Sequence, residues 1–348
     1  GADATIGVTG RHENHCTLLP NGGITVLRED VAPESVGVQM TYGDWGSAHT
    51  HPELLAITVS ADGHLVIPEV RYHSYGHEDF LSWDRQSIAH NTVTVDEVSQ
   101  YPQDIPDPWV IERNGKQARG RPLFFHASDR LKAFGAECDA AYEGVLLSRA
   151  VALLGSTIVD FYRCRSDSDH TFDYALHIDG ALADSTVSLS EPTEGSVSEN
   201  LGYEHLLAPR RGSMHGDKET LQFDSPGGKL KIDLLSAGKS ELTVATGHAD
   251  LKGKTKEALL VRKRGKDANF IDVLSFPNRE SWKEVAVLGE LPPGVLGVRL
   301  VAEDGTEQWV VSSAESKSFQ LAGQTVTGRM ALLEKKPTGQ LKLIEQVQ

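Results

Sequence analysis

The sequence predicts an all-β protein built around a large antiparallel β-sandwich, and three observations support this fold class. Short runs rich in β-branched and aromatic residues recur along the chain, Asn-Gly, Asp-Gly and Gly-Gly turn signals separate them, and amphipathic helical periodicity is scarce. Strands at this spacing are typical of sandwiches and barrels rather than of βαβ units. We therefore expect a supersandwich-like fold with a small C-terminal β subdomain.

The expected strands follow in chain order. They cover residues 24–27, 54–59, 64–67, 92–95, 144–153, 156–162, 171–178, 229–234, 241–245, 258–261, 269–274, 297–301 and 308–311. The best helical candidate, residues 128–141, is short and only weakly periodic.

Two irregular tracts suggest how the chain is divided. Residues 184–200 are rich in Ser, Glu and Thr and indicate a surface excursion, whereas Glu290-Leu291-Pro292-Pro293-Gly294 has the composition of a hinge. The sequence thus predicts a β-sandwich domain over residues 1–290 and a small β-hairpin subdomain over residues 291–348.

Composition and charge exclude several classes of partner. The net charge of −15 argues against nucleic acid. No apolar run approaches the roughly 20 residues of a membrane helix, so no membrane partner is expected. Residues 1–4 lack the basic and apolar regions of a signal peptide. Cys16, Cys138 and Cys164 allow either one disulfide or three thiols.

Chemistry-bearing residues are concentrated between residues 43 and 96. Six of the fourteen histidines fall there: His49, His51, His64, His73, His77 and His90. His51 precedes Pro52, which favours an extended backbone at the mouth of a strand, and alternation then puts His49 and His51 on one side. His90 begins the next strand pattern. Two imidazoles and one carboxylate form an ordinary zinc site, so we expect His51 and His90 as ligands.

Glu69 is the nearest candidate for the acidic ligand. A hairpin turn at Asp62-Gly63, taken as a three-residue loop, would place Glu69 opposite Leu55, roughly 13 Å along the strand from His51. A bend at Pro52 or Pro68 would bring the two together. The alternative is that His51 and His90 are buried and satisfied by backbone hydrogen bonds.

Other histidines suggest packing rather than chemistry. His64, His73 and His77 lie in polar, loop-like sequence. His170 and His177 lie in an alternating strand pattern, where packing in the core or at the surface is expected.

These motifs, taken together, resemble a known family. They are residues 21–28, Gly46-x-x-His49-x-His51-Pro52-Glu53, Arg85-x-x-x-Ala89-His90-Asn91-Thr92-Val93-x-Val95-Asp96, Tyr142-x-Gly144-Val145 with Ser148-Arg149, Ile158-Val159-Asp160 and Leu176-His177. In this order they are similar to the C-terminal β-domain of the heparinase II/III-like polysaccharide lyases. The resemblance runs from about residue 20 to at least residue 280.

The resemblance implies an enzyme that cleaves uronic-acid polysaccharides by β-elimination. Family members carry an N-terminal α/α toroid that is missing from this chain, and many hold a structural zinc in the β-domain. Carried over, His49 faces the substrate, His51 and His90 bind zinc, and Glu69 stands where the family has an aspartate. An acidic polysaccharide or oligosaccharide partner, a periplasmic or secreted location, and a homodimer that covers the face left by the toroid agree with this interpretation.

Elimination at a uronate requires a neutralised carboxylate, a base for the C5 proton and an acid for the departing O4. His49 suits the first role or a share in proton transfer, and Tyr75 is the candidate base or acid, with Tyr72 behind it. Arg85 suits bidentate carboxylate binding, and Trp45 is a candidate sugar-stacking residue. For Tyr75 the alternative is a packed loop tyrosine, and for Arg85 it is a surface ion pair.

Two other classes of function remain open at this point. A non-catalytic carbohydrate-binding or scaffolding β-domain would depend on surface aromatics such as Trp45 and Trp83 and not on His49. A metal-dependent hydrolase would need an open coordination position with a carboxylate base beside it, and Glu53 is the residue available for that role.

Overall fold

The computed structural model describes residues 11–45, 50–70, 73, 76–100, 118–235, 239–248 and 253–348, with the backbone alone at residues 44, 45 and 118. In these ranges the strands form four antiparallel sheets, and helical structure is limited to the π-helical turn Phe80–Asp84 and the 3₁₀ turns Ser87–Ala89 and Tyr203–His205. The predicted all-β sandwich class is confirmed. No helix in the described ranges is both long and apolar enough to cross a membrane.

The N-terminal part of the chain forms a six-stranded sheet with the order β1-β2-β3-β4-β6-β7, and β5 pairs with β9 beside it. The strands are β1 (Arg11–Glu13), β2 (Cys16–Leu19), β3 (Ile24–Arg28), β4 (Gly37–Thr41), β5 (Asp44–Trp45), β6 (Ala56–Ala61), β7 (His64–Ile67), β8 (Val93–Val95) and β9 (Ala118–Arg119).

The β6–β7 hairpin differs from the expected register in a way that shapes the site. Its loop is the two residues Asp62-Gly63, both at positive φ, because Ala61 pairs directly with His64. A bulge at Val66 on β7 then shifts the register, because Ser60 lies opposite Leu65 whereas Val59 lies opposite Ile67. The three-residue loop that would set Glu69 opposite Leu55 is therefore wrong. The bend comes at Leu55, whose φ of 63° turns the chain before β6 begins.

A central sheet of eleven strands follows, with the order β10-β11-β12-β13-β19-β17-β16-β14. In addition, β18 pairs with β19, β15 pairs with β18, and β8 pairs with β13. The strands are β10 (Arg121–Ala127), β11 (Lys132–Tyr142), β12 (Val145–Leu154), β13 (Thr157–Ile178), β14 (Ala181–Ser185), β15 (Leu207–Met214), β16 (Lys218–Ser225), β17 (Gly228–Leu235), β18 (Ser240–Thr246) and β19 (Glu257–Ser275).

The helix considered over residues 128–141 is wrong, because most of that segment is strand β11. Lys132 to Cys138 are buried without interruption, since this strand lies inside a sheet that is covered on both faces. Burial on both faces removes the alternation that identifies a half-buried strand.

The C-terminal sheet has five strands in sequential order: β20 (Trp282–Val287), β21 (Val295–Ala302), β22 (Glu307–Leu321), β23 (Gln324–Lys335) and β24 (Lys342–Val347). It starts at Trp282, which lies before the proposed boundary at residue 290. Because β20 pairs with β21, the tract from Glu290 to Gly294 connects two strands of one sheet rather than preceding the sheet. The division into two domains stays a prediction.

The three larger sheets form three layers with the eleven-stranded sheet in the middle. One apolar cluster joins its inner face to the six-stranded sheet, with Leu27, Ile57 and Phe172 among its members. A second joins the other face to the five-stranded sheet, with Phe161 and Leu332 among its members. Cys16, Cys138 and Cys164 are all free and buried within the first cluster.

A fully buried arginine ties the central sheet to the loops at one end of the sandwich. Arg149 on β12 donates from Nε to both carboxylate oxygens of Asp160 at 3.0 Å. Its Nη1 donates to the backbone carbonyls of Leu55 at 2.8 Å and Asn91 at 2.7 Å. Asp272 lies across from Asp160, and burial together with the Asp160 charge raises its pKa well above the usual range. The cluster therefore holds one ion pair rather than two adjacent carboxylates.

We predict that Arg149→Met lowers the free energy of unfolding by about 3–5 kcal/mol, because it leaves the Asp160 charge buried and unpaired. Urea denaturation followed by tryptophan fluorescence measures the loss. Arg165→Met is the matched control, since Arg165 lies on the neighbouring strand, is 57% exposed and is 3.9 Å from Asp267. That change should cost less than about 1 kcal/mol. Equal losses in the two variants would contradict the role assigned to Arg149.

Candidate functional site

The candidate site lies where the chain entering β6 meets the turn that precedes β8. Ser87 donates from its hydroxyl to the Pro52 carbonyl at 2.6 Å, and Thr92 donates to the Leu54 carbonyl at 2.8 Å. The Gln100 side chain completes the clamp, because it accepts from the Leu54 amide at 2.8 Å. Irregular backbone is thus fixed by buried side chains, and His51 and Glu53 are held against the segment that carries His90.

Asn91 fixes the third part of the site. Its side-chain amide donates to the carbonyls of Ile57 and Pro68, each at 2.9 Å, and its side-chain oxygen accepts from the His177 amide at 2.7 Å. The Pro68 contact anchors the residue immediately before Glu69. Asn91 therefore links the end of β7 to β6 and β13, which brings Glu69 next to His90.

His90 is the centre of the site and is completely buried. Its Nε2 donates to the Asp84 carbonyl at 3.1 Å, which leaves Nδ1 facing two carboxylates. Glu69 Oε1 forms a very short contact with Nδ1, and Glu53 Oε2 lies 3.8 Å from it. The His51 ring centroid is 5.3 Å from that of His90. Glu69 and His51 therefore both lie against His90, and the expectation that these three residues bind a metal stays a prediction.

Burial and the close approach of carboxylates and imidazoles shift the pKa values of several groups in the site. Burial alone would lower the pKa of His90, but the charge and hydrogen bond of Glu69 raise it instead. Burial and repulsion from Glu69 raise the pKa of Glu53 to about 8. Burial, His90 and Arg85 lower the pKa of His51 to about 3, so its imidazole is neutral at ordinary pH.

This donor set fits a divalent transition metal. One oxygen each of Glu53 and Glu69 and one nitrogen of His90 lie within 4.8 Å of one another. The Nε2 hydrogen bond to a backbone carbonyl fixes the His90 tautomer that exposes Nδ1, as is usual for metal-binding histidines. Glu53 was considered in the sequence only as a hydrolase base. In the structure it belongs to the same group of possible ligands as Glu69 and His90.

Of the remaining predicted site residues, the structure describes the side chain of Arg85 but not those of the others. His49, Tyr72 and Tyr75 lie outside the described residues, as does the side chain of Trp45. Arg85 is 8% exposed, so it is not the surface residue of the alternative interpretation. Its charge acts on His51 from close by. A direct role for these residues in substrate binding or catalysis stays a prediction.

The structure also shows the surroundings of the other histidines. His177 is buried and bonds through Nε2 to the Ile88 carbonyl at 2.8 Å, and His170 bonds to Asp96, so both pack as predicted. His64 is exposed on the hairpin. His73 and His77, however, meet His205 and His248, two residues that the sequence analysis did not single out. Because His205 and His248 are far along the chain from His73 and His77, no local sequence pattern indicated that they lie together.

Comparison with known proteins identifies the family of the chain. Residues 12–273 match the family described as "Heparinase II/III-like, C-terminal", and the chain belongs to that family. It is similar to an alginate lyase of Stenotrophomonas maltophilia, with 27% identity over 210 residues, covering 56% of this chain and 27% of that protein. It is also similar to an exo-oligoalginate lyase of Saccharophagus degradans, with 24% identity over 277 residues, covering 73% of this chain and 36% of that protein.

The fold is shared with solved structures of larger proteins. The heparan sulfate lyase HepC from Pedobacter heparinus matches with a TM-score of 0.59 and 15% identity, covering 86% of this chain and 42% of that one. The chain therefore spans between about a quarter and two fifths of the length of the relatives and structures named here. The expected family is confirmed by these matches.

In protein stripped of divalent metal with EDTA, we predict that Glu53→Gln raises the free energy of unfolding near pH 8. The folded-state pKa of about 8 lies above the ordinary 4.5, so the unfolded chain releases this proton first as pH rises. Stability is therefore lost between these two values in the native chain and kept in the variant. Urea denaturation across this range measures the difference, which should vanish below about pH 4.5.

Glu97→Gln is the control with the opposite sign. Burial would raise the pKa of Glu97, but hydrogen bonds from Ser198 and Arg262 lower it. That variant should be less stable than the native chain at neutral pH, and the deficit should shrink as pH falls. A Glu53 variant that behaved like the Glu97 variant would contradict the electrostatics described for the site.

Proposed function

We propose that this chain is the β-sandwich part of a polysaccharide lyase that cleaves a uronic-acid polysaccharide by β-elimination. The observation that carries the proposal is the buried His90 with Glu69, Glu53 and His51 around it, in a member of the heparinase II/III-like family. The names of the relatives support a polyuronate substrate, because two of them are alginate lyases and a structural neighbour is a heparan sulfate lyase.

The reaction breaks the C5–H and C4–O4 bonds, forms a C4=C5 double bond and delivers a proton to O4. His49 neutralises the uronate carboxylate or shares the proton transfer, two residues before the anchored His51. Tyr75 is the proposed base or acid, Tyr72 is the second candidate for that role, and Trp45 is the proposed stacking surface for a sugar ring. Arg85 supplies a buried positive charge that acts on His51, which favours an anionic substrate despite the negative net charge.

Zinc is the proposed metal, held by His51, Glu69 and His90, with Glu53 available as a further ligand. When bound, the ion would neutralise the two carboxylates and cross-link the loop before β6 to the turn before β8. The hydrogen bonds of Ser87, Thr92 and Asn91 fix the loops that carry these ligand residues. Their effect on the reaction is to fix the segment that carries His49.

A second domain belongs to the proposal. The family resemblance implies an α/α toroid that completes the substrate groove, and the relatives and solved structures are much longer than this chain. A periplasmic or secreted location follows from the same resemblance, because polymeric uronates are met outside the cytoplasm. A homodimer through the face that the toroid would cover is part of this proposal as well.

We predict that His51→Ala and His90→Ala each bind one zinc ion fewer per chain than the native protein. Elemental mass spectrometry after zinc addition and gel filtration provides the count. His64→Ala should keep the native count, because His64 is exposed on the hairpin turn. An unchanged count in the His51 and His90 variants would contradict the ligand assignment.

We predict that the natural polypeptide carrying this chain produces unsaturated uronate from alginate or heparan sulfate, detected by ultraviolet absorbance. His49→Ala should lower kcat by about 10²–10⁴-fold, the usual contribution of a general acid–base group. His170→Ala, whose imidazole bonds to Asp96, should leave kcat unchanged. Substrate binding without elimination, equally strong in the native protein and the His49 variant, would favour the non-catalytic binding module instead.

A further inference from the structure

A second group of histidines lies beside the site described above and plays no part in the proposed reaction. His73 follows β7, Asp79 precedes the π-helical turn, and His248 follows β18. One nitrogen of each histidine and one carboxylate oxygen of Asp79 lie within 4.8 Å of one another. Three distant parts of the chain therefore converge on one point with donor atoms that bind transition metals.

His73 is oriented as a metal ligand would be. It is buried, and its Nδ1 donates to Asp84 Oδ1 at 3.0 Å, while its backbone amide donates to the other oxygen of the same carboxylate. Asp84 is itself fully buried. This contact fixes the tautomer and leaves Nε2 with its lone pair, which is the carboxylate–histidine arrangement found behind bound metals.

The distances are close to those a metal requires. Two ligands of a tetrahedral zinc, each about 2.0–2.1 Å from the ion, are roughly 3.3 Å apart. His248 Nε2 and Asp79 Oδ2 are 2.9 Å apart, and the widest separation in the group is below 4.8 Å. His248 and Asp79 are both partly exposed, which gives an ion a path to the group from solvent.

Neighbouring residues enclose the group without supplying its donors. The His77 ring stacks on His73 at 4.3 Å, and its Nδ1 accepts from the Asp79 amide at 3.2 Å. The His205 ring is 4.7 Å from that of His248, and its Nε2 bonds to the Ser82 hydroxyl at 3.0 Å.

Trp83 packs against the histidine group from the protein interior. It is 4% exposed and meets the His248 ring edge-on at 5.8 Å. The histidine group is therefore held in place from below as well as from its sides.

We propose that His73, Asp79 and His248 form a second binding site for a divalent transition metal, with zinc as the natural candidate. Two imidazoles and one carboxylate leave a fourth position for water or an anionic group. The site is separate from the zinc proposed at His90 and does not rest on lyase activity. Asp84 joins the two, because its carboxylate holds His73 while its backbone carbonyl holds the Nε2 of His90.

The test is the zinc stoichiometry of the whole chain, with zinc chloride as the probe and elemental mass spectrometry after gel filtration as the readout. The native chain should hold two zinc ions. His248→Ala and the near-isosteric Asp79→Asn should each lose one, and His90→Ala should lose the other. His126→Ala is the matched control, since His126 is 31% exposed against 23% for His248 and also contacts a carboxylate, Glu345, at 2.7 Å.

Asp84→Asn separates this site from its neighbour. The variant keeps the backbone carbonyl that His90 uses but weakens the acceptor that orients His73. Competition with a chromophoric chelator should show zinc affinity reduced by about 10–100-fold at the second site, with the first unchanged. If Asp84→Asn lowered zinc affinity at the His90 site alone, the proposal would be overturned. A native zinc count that neither His248→Ala nor Asp79→Asn lowers would overturn it as well. A native count of one that His248→Ala abolishes would support it and would argue against the first zinc.

Discussion

The ion pair between Arg149 and Asp160 is the interaction on which the candidate site depends. The loops that carry His51, Glu53 and His90 have irregular backbone, and buried carbonyl groups in such loops need donors. One guanidinium supplies them to both Leu55 and Asn91, and Asp160 balances its charge. A lysine could not satisfy so many acceptors in fixed directions. The central sheet thus determines where the site lies.

Asp84 plays a comparable part on the outer side of the site. Its backbone and its side chain each accept from a different histidine, so His90 and His73 cannot move independently. The apolar cluster beneath them, which includes Trp83, Ile88 and Tyr203, keeps this turn attached to β13 and β19. The two histidine groups are therefore parts of one rigid end of the sandwich rather than two separate loops.

The sequence identified what is local and missed what is distant. The position of the β6–β7 turn, eleven of the twenty-four described strands and the approach of His51 to His90 follow from turn residues, alternation and the family motif. The left-handed Leu55 leaves no such trace, because bulky residues seldom adopt positive φ and tertiary contacts must impose it. The bulge at Val66 likewise has no local signal in the sequence. Arg149, Glu53 and His248 were not assigned their roles, since each acts on partners that only the folded chain brings near. Strand β11 was misread because a strand buried on both faces loses its alternation.

The connectivity of the central sheet has a consequence for synthesis of the protein. Strand β13 pairs along its length with β19, although five strands intervene in the chain, and β8 docks on β13 directly after His90. Most residues of the first histidine site precede the strands that form the platform beneath them, and this platform closes only after Ser275 has been made. Non-local pairing of this kind folds slowly and leaves apolar strands exposed meanwhile.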